Sequence, residues 1–251
     1  MSAGIPLTVH VPTNSESNEG VQESESMSQI KNVFLSLGLV ATFLLSGNVL
    51  FAETGETAAS EVPAETPGAE TSAPQDVVNE LHAGLLKTMQ ESKGTGFQER
   101  FDNLKPVVSE TFDVNFMGSK SVGRHWKKLT PEEQQLWLDK FVSYITANYV
   151  GNFNQFDGES FEVLGEEEAQ RSTRIVLTRL NVPGGEDVLF NYRLRMTPEG
   201  WQIIDIYLKG TVSELALRRS DFTTTLKNKG FPVLASTVDK KIENLREEAG
   251  G

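Results

Sequence analysis

Few side chains in this sequence can move a proton, hold a metal or attack a carbonyl. It contains no cysteine, which removes thiol nucleophiles and thiolate ligands together. Beyond residue 75 the histidines are His82, beside an apolar stripe, and His125, in a loop segment. Neither has a second ligand at a useful spacing, so no zinc site is expected. No phosphate-cradling glycine loop and no G-x-S-x-G elbow occurs, and no cofactor is implied. The run Glu166-Glu167-Glu168 reads as a solvated hairpin turn without a metal role. One acid stands apart. Asp205 lies inside the apolar strand WQIIDIYL, and facing a cavity beside Tyr192 or Tyr207 it could serve as base in an isomerase-like proton transfer. The alternative is structural: a buried carboxylate that accepts backbone hydrogen bonds or pairs with an arginine such as Arg218. No second positioned acid or base is visible, so the structural reading carries more weight. The tandem Arg218-Arg219 sits on the following helix, where neighbours project about 100° apart and cannot serve one face equally. One of the two can bridge to Asp205 or Asp221 while the other meets solvent or a partner.

The segments around these residues alternate between two periods. Asp76–Met89, with Val78, Leu81, Leu85 and Met89, follows helical spacing, and Phe97–Phe112 does so through Phe101, Leu104 and Val108, with Pro106 disturbing it. Asp113 can cap a short helix through Met117, closed near Gly123. Thr130-Pro131-Glu132-Glu133 combines an N-cap, a first-turn proline and a capping-box glutamate. From there Leu138, Phe141, Val142, Ile145, Tyr149, Phe153 and Phe156 share one face over about seven turns, a stripe broadened by Trp137 and Tyr144. Period two then takes over in Phe161–Leu164, Ser172–Leu180, Val188–Met196 and Trp201–Leu208. In the third strand Val188, Phe190, Tyr192, Leu194 and Met196 face one way; in the fourth, Trp201, Ile203, Asp205 and Tyr207 oppose Ile204, Ile206 and Leu208. Gly210 breaks the last strand and Ser213 caps a helix through Lys227, followed by a final helix over Pro232–Glu247. Short connections make the strands a four-stranded antiparallel meander, and segregated helices make the fold α+β. A curved sheet wrapped round the long helix encloses a cone whose interior can hold a ligand.

The net charge of −12 is unevenly spread. One Lys and nine Glu put residues 1–75 at −8, which leaves −4 for the rest and no basic excess for nucleic acid. Residues 33–45, VFLSLGLVATFLL, are too short to span a bilayer, follow Lys31 and precede small residues. That is the pattern of a secretory signal peptide over 27–52, beginning at Met27 and cleaved after Ala52; an uncleaved N-terminal anchor is the other reading. Residues 1–26 are then an upstream extension, 53–75 a disordered Ala/Glu/Thr/Pro linker, 76–247 one domain and 248–251 a tail. No cysteine follows the apolar run, so no lipid-modified N-terminus is expected and stability rests on a core.

Three segments in order, SVGRHW…LTPEEQQLW, then VLFNYRLR…GWQIIDIYLKGTVSELALRRSDF, then KNKGFPVL, resemble the MlaC-type, or toluene-tolerance, periplasmic lipid-binding proteins over most of 76–247. Gly123 with Trp126, the Trp201–Asp205 strand, and Gly210 through Arg219-Ser220-x-Phe222 carry most of the likeness. The wording of RFDNLKPVVSETFDVNFMGSKSVGRHW is most similar to the hopanoid-associated subgroup called HpnM. The resemblance implies a nuclear-transport-factor-like cone with extra helices and a non-enzymatic carrier; a monomer is the default expectation, since the sequence carries no sign of oligomeric state. It also implies a lipid shuttled between components of an inner-membrane transporter of the ABC type and an outer-membrane acceptor, with a phospholipid or a hopanoid as cargo and outer-membrane maintenance as the outcome. Lipid tails leave water with a gain of about 0.8 kcal/mol per methylene, so a carrier must offer an apolar cavity. The residues expected to line it are Phe112, Phe116, Met117 and Trp126 before the long helix, Phe141 and Tyr149 on it, and Val188, Phe190, Tyr192 and Ile203 on the strands. Asp205, Arg218 and Arg219 are expected to tie the strand–helix junction or meet a headgroup or partner. A cone-fold enzyme using Asp205 and a ligand-free periplasmic interaction module remain the rival readings.

Overall fold

The computed structural model describes residues 72–250. The expected extension, the signal peptide with its cleavage after Ala52, and most of the linker lie outside the described residues. Four helices come first: α1 (Pro74–Gln90), α2 (Phe97–Thr111), α3 (Val114–Ser121) and α4 (Pro131–Asn152), with a 3-10 turn over Gly123–Lys128 before α4. Helix α1 begins two residues before the expected Asp76, with Pro74 in its first turn and Asp76 reaching back to accept a hydrogen bond from the Ala73 N–H at 2.8 Å. Asp113 caps α3 by accepting from Phe116 N, and α3 runs on past Met117 to Ser121. Thr130 and Glu133 close a capping box at the start of α4, each side chain satisfying the other's backbone N–H. The helix stops at Asn152 rather than Phe156, since Phe153 leaves helical geometry at φ −100°, ψ 60° just after Gly151-Asn152.

The strands are β1 (Ser160–Ala169), β2 (Thr173–Asn181), β3 (Val188–Thr197), β4 (Gly200–Leu208) and a two-residue β5 (Val212–Ser213), antiparallel throughout in the order β1-β2-β3-β4-β5. The fold is α+β with a meander, as expected, and gains β5 as a fifth strand. Helices α5 (Glu214–Lys229) and α6 (Phe231–Glu248) complete it. Ser213 caps α5 by accepting from Ala216 N, and Gly230 at φ 80° turns the chain into α6.

Two corrections concern the sheet. Glu166, Glu167 and Glu168 are not a turn: they lie within β1, and Arg174 on β2 pairs with Glu166 and Glu168. A bulge between Val163 and Gly165 leaves Leu164 as the extra residue and keeps Gly165 paired with Leu177, and the turn falls at Arg171 and Ser172, both at positive φ. Met196 is 48% exposed at the end of β3, away from the core that Phe190, Tyr192 and Leu194 enter.

The core lies between the inner face of the sheet and the helices. Trp137, wholly buried on α4, donates its indole N–H to the Gly118 carbonyl at 2.9 Å and meets Phe222 of α5 edge-on at 5.0 Å. Through these contacts α4 holds α3 and α5 together. His82 of α1 stacks on Phe161 at 4.1 Å and bonds the Tyr192 hydroxyl at 3.2 Å, joining α1 to β1 and β3. Burial pushes the His82 pKa down from 6.5 to about 4, so the ring is neutral at pH 7.

Candidate functional site

A second bulge, between Arg193 and Leu194 of β3, sets the geometry of β4. Leu194 opposes Ile203 while Arg193 opposes Asp205, so Ile204 is an extra residue in its strand. Strict alternation places Ile203 and Ile206 on opposite faces; the extra residue turns both inward. Ile203 enters the core, and Ile206 and Leu208 face α4 and α5.

Between those two helices and β3–β4 is an apolar pocket with a cavity of about 80 Å³. Its walls come from Phe112, Met117 and Phe141, from Ile145, Tyr149 and Phe153 further along α4, and from Phe190, Ile206, Leu208 and Leu215. Polar groups enter the lining at Tyr144, Asn148 and Asn152 of α4 and at Glu214 and Arg218 of α5. Arg218 spans the two helices. Its guanidinium sits 4.7 Å over the Tyr144 ring and donates to the Tyr144 hydroxyl, the Asn148 Oδ1 at 3.4 Å and the Glu214 carboxylate at 3.3 Å. Burial pushes the Glu214 carboxyl above its ordinary value; the Arg218 charge pulls it down and Asp205 pushes it further up. Burial likewise holds the Tyr149 phenol well above its usual value, aided by Tyr192 and Glu214, and its buried hydroxyl has no hydrogen-bond partner among the described residues.

Of the ten expected lining residues, Phe112, Met117, Phe141, Tyr149 and Phe190 meet in this pocket. Tyr192 and Ile203 are core, Tyr192 being engaged with His82. Val188 packs against the core from the start of β3. Phe116 lies under the Arg195 guanidinium at 4.5 Å, and Trp126 packs on the core from the 3-10 turn, its carbonyl accepting from Gln134. The α4 residues Tyr144, Ile145 and Asn148 were absent from the expected lining although they follow Phe141 at helical spacing, a signal the sequence carried. Ile206 and Leu208 had no such signal, because the bulge decides their face.

Asp205 does not face this pocket. It lies on the other face of β4, opposite Arg193, and accepts from the Ser213 hydroxyl at 2.6 Å, Ile206 N at 2.9 Å and Leu215 N at 3.1 Å. Burial pushes its carboxyl above the ordinary range, while these three bonds and the Arg193 charge pull it back. The bridge from Arg218 to Asp205 does not form; Glu214 takes that role one helical turn away. Arg219 points instead to the 3-10 turn, beside Gly123. Among the described residues there is no cluster of three or more His, Asp or Glu able to hold a metal ion, and no helix long and apolar enough to cross a membrane.

The family model described as MlaC protein matches residues 76–240. Among solved structures, a phospholipid-binding protein from Ralstonia solanacearum, determined in complex with a phospholipid, is similar over 68% of this chain and 95% of its own, at 22% identity and a TM-score of 0.59.

Proposed function

This chain belongs to the MlaC family, and from that premise we propose that it is a lipid carrier without enzymatic activity, which takes one lipid with its tails in the pocket between α4, α5 and β3–β4. The observation that carries the reading is the pocket itself: aromatic and aliphatic side chains from every element around it, and polar groups only from α4 and α5. That is the polarity an amphiphile needs, tails inward and headgroup at the α4–α5 mouth. The unpartnered Tyr149 hydroxyl fits the same reading, since a ligand carrying an acceptor would satisfy it. The phospholipid bound by the similar Ralstonia protein supports a phospholipid as cargo, and a hopanoid is the alternative.

A cavity of about 80 Å³ is smaller than the roughly 300–1,000 Å³ of ordinary ligand sites. The pocket must therefore dilate as lipid enters, with the Arg218 bridge breaking so that α4 and α5 can part. Location in the periplasm after signal-peptide cleavage, with exchange between an inner-membrane transporter and an outer-membrane acceptor, is part of the same proposal. The rival use of Asp205 as an acid or base is weakened by its place on the far side of β4, where all its bonds are to the start of α5 and its own strand.

The test is transfer of a fluorescent, self-quenched phospholipid from donor to acceptor vesicles. The chain is expected to accelerate transfer saturably and to do so without altering the lipid chemically. No acceleration with either a phospholipid or a hopanoid, or conversion of the lipid into a product, overturns the proposal.

A further inference from the structure

The cations on the opposite flank of α5 gather in one place. Arg219, Thr223, Thr224 and Lys227 share an open cleft of about 300 Å³ with Arg124 and His125 from the 3-10 turn. None of these residues lines the apolar pocket. Positions 219, 223 and 227 recur every four residues, which stacks them on one helical face. The seat of Arg219 is shaped by backbone: Gly123 adopts φ 55°, and a Cβ there would stand 3.0 Å from the Arg219 Nε and 3.1 Å from an Nη. The missing side chain lets the guanidinium lie against the turn. The hydroxyls of Thr223 and Thr224 donate to the Arg219 and Ser220 carbonyls, at 2.6 and 2.8 Å, so the donors left for a ligand are the cations.

Charge is also concentrated here. Among the described residues Arg124, Lys128, Arg219 and Lys227 form no ion pair with a carboxylate. The His125 pKa is depressed by loss of hydration first and then by Arg124, Lys128 and Lys227. What sets these cations apart is that three of them, Arg124, Arg219 and Lys227, converge on one cleft whose lining holds no carboxylate. Two guanidiniums and an ammonium around a concave polar site are the donor set that recognises a phosphate group, forked from arginine and as a point charge from lysine.

We propose that the cleft between α5 and the Gly123–Lys128 turn is a second site, separate from the apolar pocket, that binds a phosphate group. The group can be the headgroup of an anionic lipid at a membrane surface or soluble inorganic phosphate. The test separates these sources in two arms on the full chain. In one, inorganic phosphate is titrated against chloride at matched ionic strength while NMR follows the Arg219 Nε–H and the Gly123 amide. In the other, the chain is sedimented with vesicles of phosphatidylcholine alone or with one-third phosphatidylglycerol. Saturable shifts at the two resonances, or selective sedimentation with the anionic vesicles, supports the site and names its source.

Arg219→Gln with Lys227→Gln is expected to weaken anionic-vesicle binding about thirtyfold, the effect of removing two surface cations. Lys93→Gln with Lys240→Gln makes the same charge change at exposed positions elsewhere and should leave binding within about twofold. Circular dichroism checks that each variant folds. Absence of response in both arms overturns the proposal, and so does equal weakening by both variant pairs, which would make the effect one of net charge. The cleft shares no residue with the lipid pocket, so a lipid-free pocket would leave this result unaffected.

Discussion

Asp205→Ala removes the acceptor from three donors that converge at the start of α5. The Ser213 hydroxyl can rotate to water, but Leu215 N is one of the first-turn amides with no partner inside its helix. Leaving a half-buried N–H unpaired costs about 1–3 kcal/mol, and losing a carboxylate beside a helix N-terminus costs about 0.3–1 kcal/mol more. Relief of the desolvation that raises the Asp205 pKa acts in the other direction. The expected net loss for Ala is about 2 kcal/mol, or a fall in Tm of about 4–8 °C for a domain of this size. Asp205→Asn keeps one oxygen for both backbone amides, and its expected cost is below about 1 kcal/mol. The pH dependence has a definite sign. Because the folded pKa is raised above that of the unfolded chain, the contribution of Asp205 is greatest below the unfolded pKa and diminishes as pH rises through the folded one. Asn should therefore compare worst with the native residue at acid pH. Urea unfolding with parallel lipid-transfer rates is the assay. An Ala variant within about 0.5 kcal/mol of the native chain, or an Asn variant that folds normally yet abolishes transfer, would refute the structural role.

Two further perturbations follow from the site and the core. The buried His82, neutral with a pKa of about 4, makes the fold lose stability as pH falls from 6.5 towards 4, by about 3 kcal/mol at the lower end. His82→Gln should flatten that part of the curve in urea titrations at pH 7 and pH 4, whereas an unchanged slope would contradict the burial argument. Arg218→Met should cost about 1–2 kcal/mol by stranding Glu214 and should speed lipid exchange by freeing α4 from α5. Slower exchange in the variant would show that the arginine bridge is not what holds the mouth closed.

The helical half of the molecule was legible because its signals are local. Thr130 with Glu133 announced α4, and Ser213 announced α5, by satisfying amides three residues away. The sheet was legible in number and order of its main strands, less so in register. Nothing in Phe161–Ala169 or Gly200–Leu208 reveals a bulge, which is settled by pairing with the neighbouring strand, and two consequences escaped the sequence. Glu166–Glu168 reads as a turn by composition, although cross-strand pairing with Arg174 holds it in β1. Strict alternation puts Ile206 and Leu208 on the face away from Ile203, although one inserted residue brings all three to the interior. The candidate pocket was half legible for a related reason. Phe112, Met117, Phe141, Tyr149 and Phe190 meet there, but whether an aromatic residue lines a hollow or fills a core depends on how far α4 stands from the sheet, a distance fixed by tertiary packing.

Lipid content per chain tests the lipid-carrier account most directly. Ile206→Trp fills the cavity; at about 24 cal/mol per Å³, closing 80 Å³ returns up to about 2 kcal/mol, which offsets the strain of the larger ring. Native and Ile206→Trp chains, purified alike and extracted with organic solvent, are compared by quantitative mass spectrometry. The account predicts close to one lipid per native chain and almost none in the folded variant. A lipid-free native chain, or equal lipid in both, would contradict it.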